Sequence, residues 1–516
     1  MTMNLRLAAA KKAKNKARLA KIARLKSNDT DGSISEDDVE LLEDNMLGKI
    51  INNYVIIKYV GRGTFSRVWL AYHMESKEKF ILKIYFYGED DEFKCEIKIL
   101  NTVRDGNMKY NLNFIENFKA NIDNNLCNII VLPYKGITLS DIKNEINRDL
   151  TIKEVKYITK NILFGLNELH NKEIMHTDLK LDNILSDYYL SKDLDFNNWF
   201  DQLNVNEIYS EIYINFVPKD LNDMSKDKRK KVKRRVKIKV NKAFEKKLND
   251  IINTYNDDIY NYENDSIENI ELDQFDLIEN QEEELSDNNT QESNTNEVDT
   301  FNITNNLELD EVNLKFEGTG GNGNTSKLEN TSENSSENTS ENIDLMATNF
   351  ILSDYSNSIP VSKIDEEEEY QIRAYRAPEN IIGYCPSLKS EIWSIGCLIW
   401  TLLTDEYLFE PKLVGSSESR DREQLAIMEK YCGRMQRDFL LDSPRTFELF
   451  EDNCKIKGHK KVKKMDIEDY LREKRTDLTD IEIMDVVAFL KKLLVYQPEK
   501  RYDISQCLQD KFLHID

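Results

Sequence analysis

The sequence predicts an α+β fold in which strands come first, helices follow, and a long disordered insert interrupts the folded part. Short, mostly apolar runs at 54–57 and 80–83 are typical of strands. Further along, apolar residues recur at the spacing of one helix face, in 155–170, 390–404, 422–432 and 481–494. From 187 to 348 both patterns fade into polar, charged text, which predicts a segment unable to bury enough apolar surface to fold.

The composition favours one folded domain with solvated tails. Of the 516 residues 40% are hydrophobic, enough for a sizeable core, and 32% are charged. The formal net charge of −23 argues against a protein whose whole body binds nucleic acid or an anionic membrane, because both would repel it. We therefore expect cationic partners, no membrane attachment, no nucleic acid on the folded body, and a monomer.

The cysteine content and the hydropathy of the sequence indicate the cellular compartment of the protein. The seven cysteines are odd in number and scattered, without the close pairs of a disulfide scaffold or metal ribbon. No apolar run reaches the roughly 18 to 20 residues that a membrane span needs. We expect an intracellular protein of a reducing compartment, in the cytoplasm, the nucleus or both.

Two strongly charged segments lie outside the parts of the sequence that have a strand or helix pattern. The tail at 1–48 begins with a basic stretch at 1–26 that contains no acid and then turns acidic. This stretch is compatible with a nuclear-import signal, a nucleic-acid patch, an Arg-rich transit peptide or a solvated tail. The insert carries a basic run at 226–242, followed by acidic text that ends in an Asn/Thr/Ser/Glu repeat at 330–342. That run could bind nucleic acid, direct nuclear import or pair with the acidic repeat.

A glycine-containing turn joins two predicted strands near the start of the predicted folded region. Glycine lets backbone amides approach phosphate oxygens without obstruction by a Cβ atom. Because Ser66 stands where the usual pattern has its third glycine, the motif alone is weak, and an ordinary β-turn is the alternative. The candidate nucleotide-binding residues here are Val60, Gly61, Arg62, Gly63, Thr64, Phe65, Ser66 and Val68.

A lysine and a glutamate follow this turn. Lys83 ends the next predicted strand, where its ammonium group would neutralise the α- and β-phosphates of a nucleotide. Glu96 lies in a helix-like stretch and would orient that ammonium group, with Glu92 as a competitor. We prefer Glu96 because the apolar residues after it begin a buried stripe. Taken singly, each of these residues could be an ordinary surface charge.

The strongest motif runs from His176 to Asn183 and reads HTDLKLDN. It supplies a carboxylate, Asp178, to accept a proton from a substrate hydroxyl, and a lysine, Lys180, for the γ-phosphate. The amide of Asn183 would bind Mg²⁺. A polar turn without chemistry is the alternative. Because motifs on both sides of the insert complement one another, we expect one catalytic body rather than two domains.

Together these motifs make the chain resemble the eukaryotic protein kinases from about residue 54 to 513, apart from the insert. The HTD form of the loop is similar to the SR-protein kinases and the LAMMER kinases, and the long insert with the segment 419–433 favours the former. The resemblance implies a bilobal protein kinase fold with a small antiparallel-sheet N-lobe and a mostly helical C-lobe. Its parts would be the N-lobe and hinge at 49–136, the C-lobe at 137–190 and 349–516, and the disordered insert at 191–348.

The resemblance also implies roles for residues beyond the insert. Asp354 corresponds to the metal-binding aspartate of the family's DFG element, and Ser356, in place of the glycine, requires a negative φ angle. Glu379 and Arg501 correspond to a buried structural ion pair. Glu391 stands where the family has an aspartate that braces the catalytic loop, and its extra methylene puts that bracing in mild doubt.

The adenine pocket and the substrate site follow from the same resemblance. Leu132 corresponds to the gatekeeper, with Pro133 and Lys135 as hinge residues at the nucleotide, and Ile81 would narrow the space above adenine.

Arg376 resembles an arginine that suits an acidic or phosphorylated neighbour of the target serine. The acidic run at 365–369 would attract Arg-rich peptides or is a solvated loop. Asp421 and Glu423 match an acidic docking groove of the family, although Arg422 interrupts it.

The sequence therefore predicts an active serine/threonine kinase that uses ATP and Mg²⁺ and phosphorylates serine in Arg/Ser-rich or other basic proteins. One alternative is a catalytically silent pseudokinase scaffold, which Ser66, Ile81 and Ser356 suggest. The other is a nucleic-acid-associated protein that binds through its basic tail and insert.

Overall fold

The computed structural model describes residues 46–283 and 343–515, apart from 123–124, 147, 366–367, 413–414 and 460–462; for 258–283 it gives the backbone alone. The basic stretch at 1–26 and the repeat at 330–342 lie outside the described residues. By its contacts the chain divides into one compact unit, Met1–Ile252 with Ser340–Asp516, and a second unit, Asn253–Thr339. Both lobes and the candidate site belong to the first unit.

The amino-terminal lobe is a six-stranded antiparallel sheet with one helix, α1, between its fourth and fifth strands. The strand order is β1-β2-β3-β4-β6-β5. Strands β2, β3, β4 and β6 each contain a run of at least four buried residues. The elements are β1 (Ile50–Ile51), β2 (Tyr54–Arg62), β3 (Ser66–His73), β4 (Lys79–Tyr85), α1 (Asp90–Asp105), β5 (Glu116–Ile122) and β6 (Asn125–Pro133).

The carboxy-terminal lobe is mostly helical, as predicted. Threonine or serine side chains cap its longer helices, and the capping box of Thr151 with Glu154 fixes the start of α3. Its first elements are α2 (Leu139–Glu145), α3 (Ile152–His170), β7 (Ile174–Met175) and β8 (Ile184–Ser186). The insert contributes α4 (Ser191–Gln202), α5 (Val205–Phe216) and α6 (Lys226–Glu283).

After the insert the chain returns through two short strands and a further set of helices. These are β9 (Phe350–Leu352), β10 (Ile359–Pro360), α7 (Pro378–Ile381), α8 (Leu388–Thr404), α9 (Ser417–Cys432), α10 (Arg437–Leu441), α11 (Thr446–Leu449), α12 (Ile467–Lys474), α13 (Asp480–Leu493) and α14 (Ile504–Gln509). Single 3₁₀ turns lie at Leu181–Asn183, Leu221–Asp223, Val361–Lys363, Arg373–Tyr375, Pro498–Lys500 and Lys511–Leu513.

Helix α8 forms the centre of this lobe. Fourteen of its residues are buried, including Trp393 and Trp400, so it is surrounded by protein on all sides. Two short antiparallel pairs lie near its start: β7 with β10, and β8 with β9. Because β8 precedes the insert and β9 follows it, the second pair joins the two halves of the lobe at the site.

The prediction of disorder from residue 191 is wrong for 191–257. Three helices occupy this part, and α6 buries a stripe of apolar residues at a strict spacing of four: Val236, Val240, Phe244, Leu248 and Ile252. The dense charge around this stripe gives the composition of a disordered segment, although the spacing of its apolar residues is helical. Helix α6 continues to Glu283, and residues 284–342 lie outside the described part of the chain.

Helix α4 packs on the strands of the amino-terminal lobe. The ring centroids of Phe200 and Tyr72 lie 5.5 Å apart, and Phe200 is fully buried. Ion pairs join Lys58 to Asp193 at 2.7 Å and Lys79 to Asp201 at 2.6 Å. Buried aromatic surface supplies most of this attachment, since pairs with an exposed partner contribute little.

In the part of the chain that the structure describes, no helix has an apolar stretch long enough to cross a lipid bilayer.

Candidate active site

The glycine-containing turn lies between β2 and β3. The amide of Gly63 donates to the carbonyl of Ser66 at 2.9 Å, which closes the hairpin. A Cβ atom added to Gly61 would meet nothing within 4 Å, so the backbone there faces open space. Val60, Arg62 and Thr64 are exposed, whereas Phe65 packs against the core and Ser66 is buried. Strand register places Val68 directly opposite Lys83 on β4.

Lys83 is a buried cation held between two carboxylates. Its Nζ atom lies 2.8 Å from Oε1 of Glu96 on α1 and 2.7 Å from Oδ1 of Asp354, which follows β9. Burial alone would lower the pKa of Lys83, but the charges of Asp354 and Glu96 outweigh it and raise that pKa above its ordinary value. The contact of Lys83 is thus with Glu96, the preferred candidate, rather than with Glu92.

The pKa values of the two carboxylates shift in opposite directions in this environment. Burial raises the pKa of Glu96, which is only 1% exposed, despite the nearby charge of Lys83. Burial would also raise the pKa of Asp354, but the charge and hydrogen bond of Lys83, helped by the hydroxyl of Ser356, lower it below its usual range. The buried hydroxyl of Tyr85 donates to the other oxygen of Glu96. Asp354 therefore stays ionised, as a metal ligand must.

The catalytic-loop candidates contact one another. Oδ2 of Asp178 accepts hydrogen bonds from Nζ of Lys180 at 3.1 Å and from Nδ2 of Asn183 at 3.0 Å. Nδ2 of Asn183 also donates to the carbonyl of Asp178 at 2.8 Å. Because the nitrogen of the Asn183 amide points to Asp178, its oxygen is left for another partner.

Backbone hydrogen bonds of the residues just before Asp354 place it beside the catalytic loop. The preceding residue, Ser353, donates its amide to the carbonyl of Asn183 at 2.9 Å, and β8 pairs with β9 just before it. Asp354 itself has a φ angle of 60°, in the left-handed region that aspartate tolerates better than most residues. The oxygens of Asn183 and Asp354 thus form a set of hard oxygen donors, which fits Mg²⁺.

Ser356 has a negative φ angle, as its side chain requires, and it adds a contact that glycine could not make. Its Oγ atom donates to Oδ1 of Asp354 at 2.8 Å. Oδ1 already accepts from Lys83, so two donors hold this oxygen and leave Oδ2 to face the site. The replacement of glycine therefore strengthens the placement of Asp354 instead of weakening it.

Glu391 on α8 braces the catalytic loop despite its extra methylene. One carboxylate oxygen accepts from the amide of Thr177 at 2.8 Å, and the other lies 2.8 Å from Nε2 of His170. Thr177 needs this support because its φ angle is 64°, which is unusual for a β-branched residue. The motif gave no signal of this strain.

Tyr355 is a residue whose part in the site the sequence did not reveal. It is 1% exposed, and its hydroxyl accepts from the amide of Leu112 at 3.0 Å. That hydroxyl also lies 2.8 Å from the carbonyl of Leu352 and 3.1 Å from Oδ1 of Asn111. Its ring lies 5.7 Å from that of His176. The residue next to Asp354 is thus fixed to both lobes.

The hinge residues follow β6. Pro133 pairs with Phe80, and Leu132 with Ile81, so the hinge continues the same sheet that carries Lys83. Tyr189, at the start of the insert, donates its hydroxyl to the carbonyl of Tyr134 at 3.2 Å. Lys135 follows directly and is exposed.

Charged residues in 354–379, which we call the activation segment, and in α9 differ in part from expectation. Asp421 is only 1% exposed and is engaged by Arg373 and by Arg445, so its expected place in an open docking groove is wrong. Arg376 is also buried and pairs with Glu369 at 2.9 Å. In the acidic run 365–369, the described residues Asp365, Glu368 and Glu369 are exposed.

Glu379 and Arg501 form a fully buried, two-pronged ion pair at 2.8 and 2.9 Å. This pair joins α7 to the turn before α14 and makes no contact with the catalytic-loop candidates that the structure describes. Its role is structural.

We predict that Tyr355→Phe will loosen the segment that carries Asp354. Loss of the hydroxyl leaves buried polar groups short of a partner, and should lower the free energy of unfolding by about 1 to 3 kcal/mol. Amide hydrogen exchange in 350–358 should become faster, as mass spectrometry would measure. Tyr375→Phe is a matched control, because it removes a buried hydroxyl that contacts Thr401 in the helical lobe. Unchanged exchange in Tyr355→Phe would contradict this role.

Comparison with known proteins agrees with this geometry. The family model for the protein kinase domain matches residues 54–197 and 340–513, on both sides of the insert. SRSF protein kinase 3 of Mus musculus is 26% identical over 501 residues, which cover 91% of this chain and 88% of that protein. Serine/threonine-protein kinase SRPK of Physarum polycephalum is 24% identical over 473 residues, covering 90% and 86%.

A shorter match is to serine/threonine-protein kinase SKY1 of Saccharomyces cerevisiae, 26% identical over 216 residues, with 42% of this chain and 27% of that protein covered. The family model spans more than half of the chain, and the bilobal fold predicted from the sequence is confirmed. The chain belongs to the protein kinase family, in the group of serine/threonine kinases that includes these SRPK relatives.

Proposed function

We propose that this serine/threonine kinase transfers the γ-phosphoryl group of ATP, with Mg²⁺, to serine in Arg/Ser-rich or other basic proteins. The observation that carries the proposal is the meeting of Lys83, Asp178, Asn183 and Asp354, which come from three distant parts of the chain. Lys83 contacts Asp354, Asp178 contacts Asn183, and a backbone hydrogen bond from Ser353 to Asn183 links the two pairs. A scaffold that had lost catalysis would have no need to keep these two pairs together.

Each group has a part in phosphoryl transfer. The free Oδ1 of Asp178 accepts the proton of the serine hydroxyl as its oxygen attacks phosphorus, and Lys180 stabilises the charge on the transferred group. Asn183 and Asp354 supply the oxygens that hold Mg²⁺, and Lys83 contacts the α- and β-phosphates. Bound Mg²⁺ neutralises phosphate charge that would otherwise repel the attacking oxygen.

The remaining candidates bind and position the nucleotide. The turn from Val60 to Val68 covers the phosphates with its backbone amides, in the open space beside Gly61. The carbonyl of Pro133 accepts a hydrogen bond from the adenine amino group, which needs no donor from proline. Lys135 lines the mouth of the pocket.

Acidic side chains near the catalytic loop support the choice of basic substrates. Gln371 donates its side-chain amide to the carbonyl of Leu179 at 3.1 Å, which ties the activation segment to the catalytic loop. The exposed Asp365 and Glu368 lie within six residues of Gln371 along the chain. Glu369 is not counted with them because it pairs with Arg376. Carboxylates bind arginine through paired, charge-assisted hydrogen bonds.

We also propose that the protein works as a monomer in the cytoplasm, the nucleus or both. None of the seven cysteines, all of which the structure describes, forms a disulfide bond, and this suits a reducing compartment. A pseudokinase scaffold is the rival, which Ser66, Ile81 and Ser356 suggested. Ser66 is buried and Ser356 supports Asp354, which speaks against the rival. Ile81 pairs with Leu132 in the sheet, and its effect on the adenine pocket stays a prediction.

The direct test of catalysis is Asp178→Asn. Transfer of radiolabelled phosphate from ATP to an Arg/Ser peptide should fall by about 10²- to 10⁴-fold, because the group that accepts the proton is lost. Binding of Mg²⁺ and ATP, measured by calorimetry, should stay near the wild-type value. Asp182→Asn is the control, since this exposed aspartate lies in the same loop. Wild-type protein that binds Mg²⁺ and ATP but labels no peptide would support the scaffold instead.

The substrate class has its own test in Asp365→Asn combined with Glu368→Gln. We expect the KM for an Arg/Ser peptide to rise by about 3- to 10-fold with little change in kcat, because each lost carboxylate removes a ground-state contact with arginine. A peptide with glutamine in place of arginine should be a poor substrate for both proteins. The control pair, Asp469→Asn with Glu473→Gln, changes exposed acids on α12. Equal KM values in the two double variants would sink this substrate assignment while leaving kinase activity intact.

A further inference from the structure

The first half of α6 carries a dense row of positive charge that the kinase reaction does not use. Residues 226–247 contain thirteen lysines and arginines against two acids, Asp227 and Glu245. Twelve of these bases are exposed, and we call them the basic ridge: Lys226, Lys228, Lys230, Lys231, Lys233, Arg234, Arg235, Lys237, Lys239, Lys242, Lys246 and Lys247. Because the rest of the protein is strongly acidic, this concentration requires an explanation of its own.

The helix that bears the ridge is held on the folded body. Its buried stripe packs against α5, where the rings of Phe244 and Tyr209 lie 5.3 Å apart and the Tyr209 hydroxyl donates to Asn241 at 2.9 Å. Its backbone also touches the turn before β1. A Cβ atom on Gly48 would lie 2.5 Å from the carbonyl oxygen of Glu245. The lysines and arginines are therefore presented as a fixed array rather than as a flexible tail.

No ion pair within the described part of the chain neutralises this array. Among the residues that the structure describes, none of the side-chain ion pairs includes a member of the basic ridge. Twelve like charges on one helix repel one another, which destabilises the isolated helix. A protein is expected to keep so many like charges on one helix where an anionic partner offsets their repulsion.

We infer that the basic ridge binds the sugar-phosphate backbone of double-stranded nucleic acid. At ~1.5 Å per residue the ridge is about 33 Å long, close to one turn of a duplex. A duplex is a rigid polyanion with a charge every ~1.7 Å, so it matches a rigid row of cations. Contacts of this kind hold phosphates and do not read bases.

Three other occupants fit the ridge less well. Single strands are bound largely by stacking on aromatic side chains, and the one aromatic residue in 226–247, Phe244, is buried. An import receptor that takes its signal as an extended strand would have to pull Val236 and Val240 out of the core. The acidic segment 284–342 contains thirteen acids and two lysines. Its net charge is negative, as a partner of the ridge requires, but it has only about one charge in every four residues.

The test uses full-length protein and fluorescein-labelled 20-base-pair duplexes of RNA and of DNA, with binding followed by anisotropy from 50 to 200 mM KCl. Lys233→Gln, Arg234→Gln and Lys237→Gln are combined in one variant. Each lost phosphate contact reduces the slope of log K against log salt by about 0.9, so the slope should become shallower by about 2 to 3. The affinity at 100 mM KCl should fall by about tenfold or more. Both duplexes should respond alike.

A matched variant changes three exposed lysines elsewhere, Lys98→Gln, Lys172→Gln and Lys500→Gln, and should keep the wild-type slope. Because all six side chains are exposed, both variants should fold, which circular dichroism would check. The inference is overturned if wild-type protein fails to bind either duplex at 50 mM KCl, or if the two variants have equal slopes. It is also overturned if poly-glutamate of equal charge competes as well as duplex, or if binding requires deletion of 284–339. Those last two results would identify an acidic polypeptide as the occupant.

Discussion

The buried contact of Lys83 with Glu96 and Asp354 is the interaction on which the rest of the site depends. It joins a strand of the sheet, helix α1 and the segment after β9, which are far apart in the sequence. Removing Lys83 would leave two neighbouring carboxylates without a counter-charge, at a penalty of about 3 to 5 kcal/mol. The triad therefore selects the arrangement in which both lobes and the metal-binding segment are assembled.

Hydroxyl groups reinforce this arrangement around Asp354. Ser356 bonds to the same carboxylate oxygen as Lys83, and Tyr355 fixes the next residue to Leu112 and Leu352. On the other side, Glu391 holds the strained backbone of Thr177 and so fixes Asp178. These side chains act through others, since none of them is among the groups proposed to meet ATP or the substrate. Their combined effect is to hold Asp354 and Asp178 in place.

Much of the fold followed from the sequence because strong periodic patterns coincide with real elements. The helices predicted at 155–170, 390–404 and 481–494 correspond to α3, α8 and α13 within a few residues. The motif around Asp178 also predicted which residues would come together, because its spacing is set by the chemistry of phosphoryl transfer. Their roles stay predictions until catalysis is measured.

The failures have a common physical origin. In the insert, Val236 and its partners at a spacing of four were visible, but the surrounding charge gave the composition of a disordered segment. The burial of Asp421 could not be read from the chain, because its partners Arg373 and Arg445 come from other elements. The hydroxyl contacts of Tyr355 are likewise tertiary. Local sequence carries periodicity well, but it does not record which distant side chain will satisfy a buried polar group.

The central claim is that Asp354 and its neighbours form a binding site for Mg²⁺ together with ATP. Calorimetry with a non-transferable ATP analogue, with Mg²⁺ or with a chelator, measures this most directly in wild-type protein and in Asp354→Asn. We expect Mg²⁺ to tighten binding to wild-type protein by about tenfold or more, about 1.4 kcal/mol, and to have little effect on the variant. Equal affinities for the analogue with and without Mg²⁺, or an unchanged Mg²⁺ effect in the folded variant, would contradict the account.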